Sequence, residues 1–404
     1  MADAVAEHLK PHSSGYFDIW LTDEDGEKIN VAERIVEEPI YGPTYLPRKF
    51  KTAFALPEDN CVDVYTHDLG FVAIVEDNKI AGYNVLVGGG QGRTPSAAKT
   101  FPTVGQKLTY VTPDQVLAIS EAIVKVQRDF GNRSDRKIAR MKYLIHDWGL
   151  PKFKAKVEEY FGSALPEPNP ADVHGVEDHI GWFDQGDGNW FLGINVENGR
   201  VKDEGDFRLK TALRTILEKF GMESRLTALQ GVILCDVAPE NRAEIDQILA
   251  DHGVTKAEDL TSIRKLSIAC PAFPTCGLSI TESERVMPQV IDNLEVAMNE
   301  NGIGGESIAV HMTGCPNGCA RPYTPDIGLV GKAKGKYTIF LGGNTNGTRI
   351  GEIFADMIPL DDIAPTIAPV FGFYSSDRQS GESFGDFCHR IGNEQLKSKF
   401  LAEA

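Results

Sequence analysis

From Lys49 to Gly88 the apolar residues come in short β-rich runs, TAFALP, CVDVYT, GFVAIVE and GYNVLV, which predict neighbouring strands. Thr112-Pro113-Asp114-Gln115 then supplies an N-cap hydroxyl, a proline at the first helical position and a capping-box glutamine, opening a helix that ends near Gly131. The proline-rich stretch ALPEPNPADVHG, 164–175, reads as a linker. Beyond it, GWFDQGDGNWFLGINVENGRV predicts a hairpin with an Asp-Gly turn, and an amphipathic helix follows from Leu209 to Phe220, closed by Gly221. A strand over RLTALQGVILCDV and a helix from about Pro239 to His252 complete a hairpin, helix, strand, helix series, the signature of a small ferredoxin-like unit. The remainder, from about 258 to 404, predicts a helix capped by Thr281 and Glu284 and strands around Ser307 to Met312 and Lys336 to Leu341. No repeat of the solenoid kind interrupts this alternation.

With 404 residues the chain has room for two or three domains with real cores. No apolar run approaches a membrane span, and MADAVAEHLKPHSSGYF lacks the basic-then-apolar order of a signal peptide. A cytoplasmic, reducing setting is the expectation, and there cysteines more often bind metal or catalyse than form disulfides.

The net charge of -17 argues against nucleic acid as a partner. Two basic clusters stand out from that background: Arg48, Lys49 and Lys51 in LPRKFKTA, and Arg128, Arg133, Arg136, Lys137, Arg140 and Lys142 in VQRDFGNRSDRKIARMKY. A charged helix run is ordinarily a solvated face, but two clusters in an acidic chain suggest a bound polyanion. Strand alternation puts Lys49 and Lys51 on the same side, which suits either an exposed strand face or convergence on one small anion.

Four cysteines carry the sharpest chemistry: Cys270 and Cys276 in SIACPAFPTC, and Cys315 and Cys319 in MTGCPNGCARP. Proline and glycine break both the C-x5-C and the C-x3-C pair, so the thiols belong to tight loops. Four thiolates converging from different directions are what an iron-sulfur cluster requires, whereas zinc ribbons more often carry two C-x2-C knuckles. Cys61, Cys235 and Cys388 read as small apolar residues. His174, Glu177 and His179 in HGVEDH miss the zinc-protease spacings and read as surface residues. No G-x-G-x-x-G follows a strand, so no nicotinamide or flavin site is expected and electrons must come from a separate donor.

Six strings in order, PTYLPRKFKTA, LVGGG, GNRSDRKIARMKY, SIACPAFPTCGLSI, HMTGCPNGCARP and LGGNTNGTRI, make the chain resemble the sirohaem-containing sulfite and nitrite reductases from about Gly42 onward. The resemblance implies an α+β fold, with mixed α/β domains flanking a ferredoxin-like half-domain. On that scheme residues 1–165 form a first sirohaem-binding α/β domain, 172–256 the half-domain, and 258–404 a second α/β domain carrying the 4Fe-4S cysteines. It further implies a sirohaem whose iron shares a cysteine sulfur with a 4Fe-4S cluster, and six-electron reduction of sulfite to sulfide in sulfur assimilation. Nitrite is the nearest alternative substrate, and an iron-sulfur subunit inactive without a partner chain is the alternative of another class.

By resemblance Cys270, Cys276, Cys315 and Cys319 hold the cluster, and Cys319 is the bridging thiolate. Arg48, Asn132, Arg133, Arg136 and Lys142 are candidates to meet sirohaem carboxylates, which suit arginine's planar fork. Gly88, Gly89 and Gly90 would admit the macrocycle, although GGGQGR alone is equally a flexible turn. Gly342, Gly343, Asn344, Thr348 and Arg349 carry the same two readings, cofactor contact or plain loop. Lys49 and Lys51 are the implied substrate cations, and a lysine rather than asparagine at Lys51 favours sulfite over nitrite. The implied donor is a flavoprotein reductase or a ferredoxin. Two departures accompany the resemblance: the segment before Tyr45 is shorter than in the family, implying a shortened chain or a second polypeptide, and Gly231 follows Gln230 where the family tends to place asparagine.

Overall fold

The computed structural model describes residues 1–12, 20–30 and 38–401. The chain divides into two compact units, one comprising Met1–Pro57, His67–Gly90 and Gly105–Asp172, the other Glu58–Thr66, Gln91–Val104 and Val173–Ala404. Each is thus assembled from segments far apart in sequence. No helix among the described residues is long and apolar enough to cross a membrane.

The first unit begins with α1 (Ala2–His8) and a hairpin of β1 (Trp20–Thr22) and β2 (Lys28–Asn30). Its main sheet runs β3 (Thr52–Ala55), β4 (Leu69–Glu76), β5 (Lys79–Val87), β6 (Gln106–Val111), parallel between β3 and β4 and antiparallel after that. Helix α2 (Val116–Phe130) covers the sheet. Its Val116, Ile119, Ala122, Ile123 and Val126 recur at helical spacing, are buried, and share one core with Phe71, Val85 and Leu108. Each such branched side chain contributes about 1.5–3 kcal/mol, against about 1 kcal/mol for a cap. Packing therefore holds the helix, and the Thr112–Gln115 capping box sets where it starts. Helices α3 (Met141–Trp148) and α4 (Leu150–Phe161) follow.

The proline-rich stretch is not a loose linker. Its carbonyls, unable to find partners among prolines, are stitched to the sheet: buried Asn84 donates to Asn169 O and Ala171 O at 2.9 Å each, and Thr109 donates to Pro166 O at 2.8 Å.

The second unit holds two main sheets, besides a short antiparallel pair of Asp203–Glu204 with Phe207–Arg208. The smaller is antiparallel and orders β9 (Ser224–Leu226), β10 (Val232–Val237), β8 (Trp190–Ile194) and β7 (Gly181–Asp184) under α5 (Leu209–Phe220) and α6 (Arg242–Asp251). The single strand expected over RLTALQGVILCDV is split, because Thr227–Gly231 closes a tight turn in which Gln230 adopts φ +66. The larger sheet orders β11 (Ile268–Ala269), β12 (Val310–Thr313), β13 (Ile327–Ala333), β14 (Lys336–Leu341) and β15 (Glu352–Pro359). The first three are parallel, and α7 (Met287–Glu300) carries the chain from β11 to β12. Thr281 and Glu284 do not cap that helix. The Thr281 hydroxyl accepts from Gly335 N at 2.9 Å, and Glu284 pairs with Arg200 at 2.8 Å.

Candidate functional site

In the second unit β11 and β12 lie side by side, parallel, and each releases a cysteine loop at its C-terminal end: Cys270 directly after Ala269, and Cys315 two residues after Thr313. Ligands gather at such strand ends in sheets of this kind. The two loops interlock through Gly314, whose carbonyl accepts from Ile280 N at 2.9 Å and Thr281 N at 3.1 Å, while its amide lies 3.3 Å from Cys270 Sγ. Within the first loop Cys276 N donates to Ala272 O at 2.7 Å and Ser279 N to Cys276 O at 3.1 Å; the Phe273–Pro274 bond is cis.

All four cysteines are unpaired; Cys270 and Cys315 are buried, Cys276 is half-buried and Cys319 is exposed. Burial raises the Cys270 and Cys315 thiols, and charge on the neighbours adds to it, Cys319 for Cys270 and all three other cysteines for Cys315. Charge on neighbouring cysteines thus disfavours the thiolate forms of Cys270 and Cys315. A cation or cluster among them removes that penalty.

A separate stretch braces the second loop. Arg93 N donates to Pro316 O at 2.9 Å, and Gly318, at φ +67, packs against Gln91. Both polar atoms of the Gln91 side-chain amide are buried without a hydrogen-bond partner among the described residues, as is the Thr313 hydroxyl one residue before Gly314. Orphaned polar atoms beside a set of thiols are what a site for a further group requires, so the residues fit a bound cluster and cofactor.

The basic strings of the first unit meet at one sheet end. Lys51 N donates to Asp68 Oδ2 at 3.0 Å and Gly88 N to Asp68 O at 2.9 Å, bringing the start of β3 to the end of β5. Arg140 grips the Asp68 carboxylate at 2.6 and 3.2 Å, and Lys142 Nζ donates to Gly90 O at 3.0 Å. Gly88 lies at φ +87, and a Cβ on Gly90 would come within 2.9 Å of the Arg140 guanidinium, so the glycine run admits close approach of neighbours. Lys49 and Lys51 are exposed, Arg48 half-buried.

Burial, reinforced by Arg140 and Lys49 and only partly offset by Asp68, lowers the Lys142 pKa to about 7. The unfolded chain keeps that proton to near pH 10.5. Between those values it binds more protons than the fold, so this lysine costs stability below pH 7 and the cost fades as pH rises. Lys142→Met is expected to remove a slope of about 1.4 kcal/mol per pH unit across that window, measured as the difference between wild-type and variant urea unfolding at pH 7 and pH 9.

The other candidates are placed as follows. Arg133 donates to the Thr44, Tyr45 and Arg128 carbonyls, and Asn132 Oδ1 accepts from Ser134 N and Asp135 N at 2.9 Å each. Arg136 is exposed. Gly342 and Gly343 follow β14, whose Leu341 pairs with Ile327, whereas Thr313 pairs with Val330; their loop thus leaves the sheet end opposite the one that releases Cys315. Arg349 donates to the Gly342 and Gly343 carbonyls at 2.7 and 2.8 Å and pairs with Asp386, while Asn344 and Thr348 bond to each other. Arg349 and Arg133 are thus both engaged in holding loops.

Two features escaped the sequence reading. The Gln230 side chain donates to Ala269 O at 2.8 Å and accepts from Ala269 N at 2.9 Å, completing the outer edge of β11 next to Cys270. His179, read as a surface residue, is half-buried with Nε2 3.1 Å from Asp59 Oδ2. Hydrogen bonds to Asp59 and then Cys61 raise its pKa to about 10. Burial alone would raise Asp59, but His179 and the Cys61 amide outweigh it and bring the carboxyl to about 2. Cys61 therefore sits in a polar contact rather than as a plain apolar residue, whereas Cys235 and Cys388 are buried as expected.

Two cysteine loops released side by side from adjacent parallel strands suit an iron-sulfur protein. The family described as "Nitrite and sulphite reductase 4Fe-4S domain" matches residues 9–165 and 268–404, and its ferredoxin-like half domain matches 183–252. The chain belongs to the nitrite and sulphite reductase family. It is 43% identical to a "Sulfite reductase [ferredoxin]" of Synechococcus elongatus, aligned over 98% of this chain and 66% of that one. It is likewise 43% identical to a "Sulfite reductase [NADPH] hemoprotein beta-component" of Geobacillus thermodenitrificans, over 97% and 68%. Among solved structures it resembles the Mycobacterium tuberculosis NirA protein, with a TM-score of 0.71 and 26% identity, over 88% of this chain and 65% of that one. The chain thus spans about two thirds of the length of these relatives.

Proposed function

We propose that this chain is a sulfite reductase haemoprotein that holds a 4Fe-4S cluster on Cys270, Cys276, Cys315 and Cys319, with Cys319 also ligating sirohaem. The carrying observation is the release of both cysteine loops from adjacent parallel strand ends, with Gly314 of the second loop bonded to Cys270 Sγ, Ile280 N and Thr281 N of the first. Cys319 is the exposed member of the set, which suits a sulfur shared with a second group. When bound, the cluster and sirohaem supply the one-electron carriers that a six-electron reduction requires. The chain's own residues supply charge and protons. Lys49 and Lys51 are exposed ammonium donors suited to holding a small dianion and giving protons to its oxygens as they leave as water. Lys142, with a pKa near 7, and Arg140 furnish cationic charge beside Gly88–Gly90 for the carboxylates of a polyanionic cofactor.

Two lysines favour sulfite over nitrite, since the doubly charged anion gains more from paired ammonium groups. Electrons come from a separate donor, and the relatives' names give ferredoxin for one and NADPH for the other. The test is steady-state turnover of anaerobically purified protein with a reduced dye as donor. Sulfite consumption is expected, with kcat/KM falling about 100-fold or more in Lys49→Ala and Lys51→Ala. Turnover unchanged in both variants would remove the lysines from the reaction, and no sulfite consumption by cofactor-loaded protein would overturn the assignment.

A further inference from the structure

Apart from the four-cysteine cradle, the second unit brings together one oxygen, one sulfur and one nitrogen donor. The ligand atoms of Asp59, Cys61 and His179 all lie within 4.8 Å of one another. The backbone aims them. Asn60 N donates to Gly175 O at 3.0 Å, and a Cβ on Gly175 would meet Glu58 O at 2.4 Å, so the segments around 58–61 and 175–179 are pressed together. Asp59 Oδ1 accepts from Cys61 N at 3.1 Å and Glu177 N at 3.4 Å, which leaves Oδ2 for His179. On the other side Arg321 fixes the Cys61 carbonyl at 3.3 Å and pairs with Asp63 at 2.9 Å.

An ion pair between Asp59 and His179 explains two of the three groups but needs no thiol. Cys61 nonetheless lies within hydrogen-bond reach of both partners. The side chains of Asp59 and His179 are 20% and 26% exposed, so the cluster is held by the fold yet open to solvent on one side. A thiolate, an imidazole and a carboxylate with one open position match the zinc sites that keep three protein ligands and a water. Magnesium and calcium prefer all-oxygen shells and would not use the sulfur.

We propose that Asp59, Cys61 and His179 form a second metal site, distinct from the cluster cysteines, that takes a zinc-type divalent cation with water as the fourth ligand. Bound metal would tie residues 58–61 to 175–179 more firmly than the ion pair does.

The test is zinc added to the cluster-loaded protein, removal of excess by gel filtration, and zinc and iron measured on the same sample. Wild type is expected to retain about one zinc per chain with its iron unchanged. Cys61→Ser and His179→Gln are expected to bind at least about tenfold more weakly, at equal iron content. Asp59→Asn, which keeps the acceptor for the Cys61 and Glu177 amides, guards against loss through misfolding and is expected to weaken binding in the same way. Cobalt in place of zinc should give a thiolate-to-metal charge-transfer band that Cys61→Ser lacks. No zinc retained by wild type, equal retention by wild type and all three variants, or zinc taken up only as iron is lost would each overturn the proposal.

Discussion

Cys315→Ser is expected to lose the cluster almost entirely, with iron and acid-labile sulfide falling about tenfold or more in anaerobically purified protein. Cys315 is 7% exposed and its thiol is raised by burial and by the other three cysteines. A serine hydroxyl there is a harder and far less acidic ligand, and the remaining three sulfurs cannot close a four-thiolate shell. Cys235→Ala is the matched control. Cys235 is also buried, but it lies in β10 and its thiol is perturbed only by burial and by Arg225, Asp236 and Glu223. That variant should lose stability from a small cavity and keep its iron. Equal iron loss in both variants would mean that the cysteines act through folding rather than ligation.

Gly314→Ala is expected to damage the same site without removing any sulfur. A Cβ at Gly314 would stand 2.2 Å from Ser279 Oγ, 2.4 Å from Thr281 O and 2.7 Å from Ala272 Cβ. Serine can rotate away, but the Thr281 carbonyl belongs to the backbone that Gly314 O receives through its amide, so the two loops must separate. Overpacking of this kind costs about 1–3 kcal/mol. Because the separation falls between Cys270 and Cys315, iron content is expected to fall severalfold while the far-ultraviolet circular dichroism stays near wild type. Retention of full iron with an unchanged unfolding midpoint would show that the loops tolerate the methyl group and that their interlock does not set the ligand geometry.

What was legible in the sequence was what local pattern encodes. The periodic apolar positions of Val116–Phe130, its Thr112–Gln115 start and the two proline- and glycine-broken cysteine pairs were all read correctly as helix, cap and loops. What was not legible depends on partners distant in the chain. Gln230 splits an expected strand because φ +66 closes a turn that presents its amide to Ala269, and no periodicity records such a contact. Thr281 has the right spacing from Glu284 for a capping box, yet Gly335 N takes the hydroxyl and Arg200 takes the carboxylate. His179 lies in a polar, proline-flanked string that reads as surface, but Asp59 and Cys61 arrive from the far side of a whole unit's sequence to meet it. Nor do their strings show that the Arg133 and Arg349 guanidinium groups reach the Thr44 and Gly342 carbonyls. Side-chain partners of this kind are set by tertiary contacts rather than by neighbours in sequence.

The four-thiol cradle is tested most directly by counting iron, acid-labile sulfide and zinc in protein purified without oxygen, alongside its visible spectrum. About four sulfides and at least four irons per chain are predicted, with Soret-type and longer-wavelength chlorin-like bands where sirohaem is bound. Zinc on the four cysteines with no labile sulfide, after reconstitution with iron, sulfide and sirohaem, would contradict it.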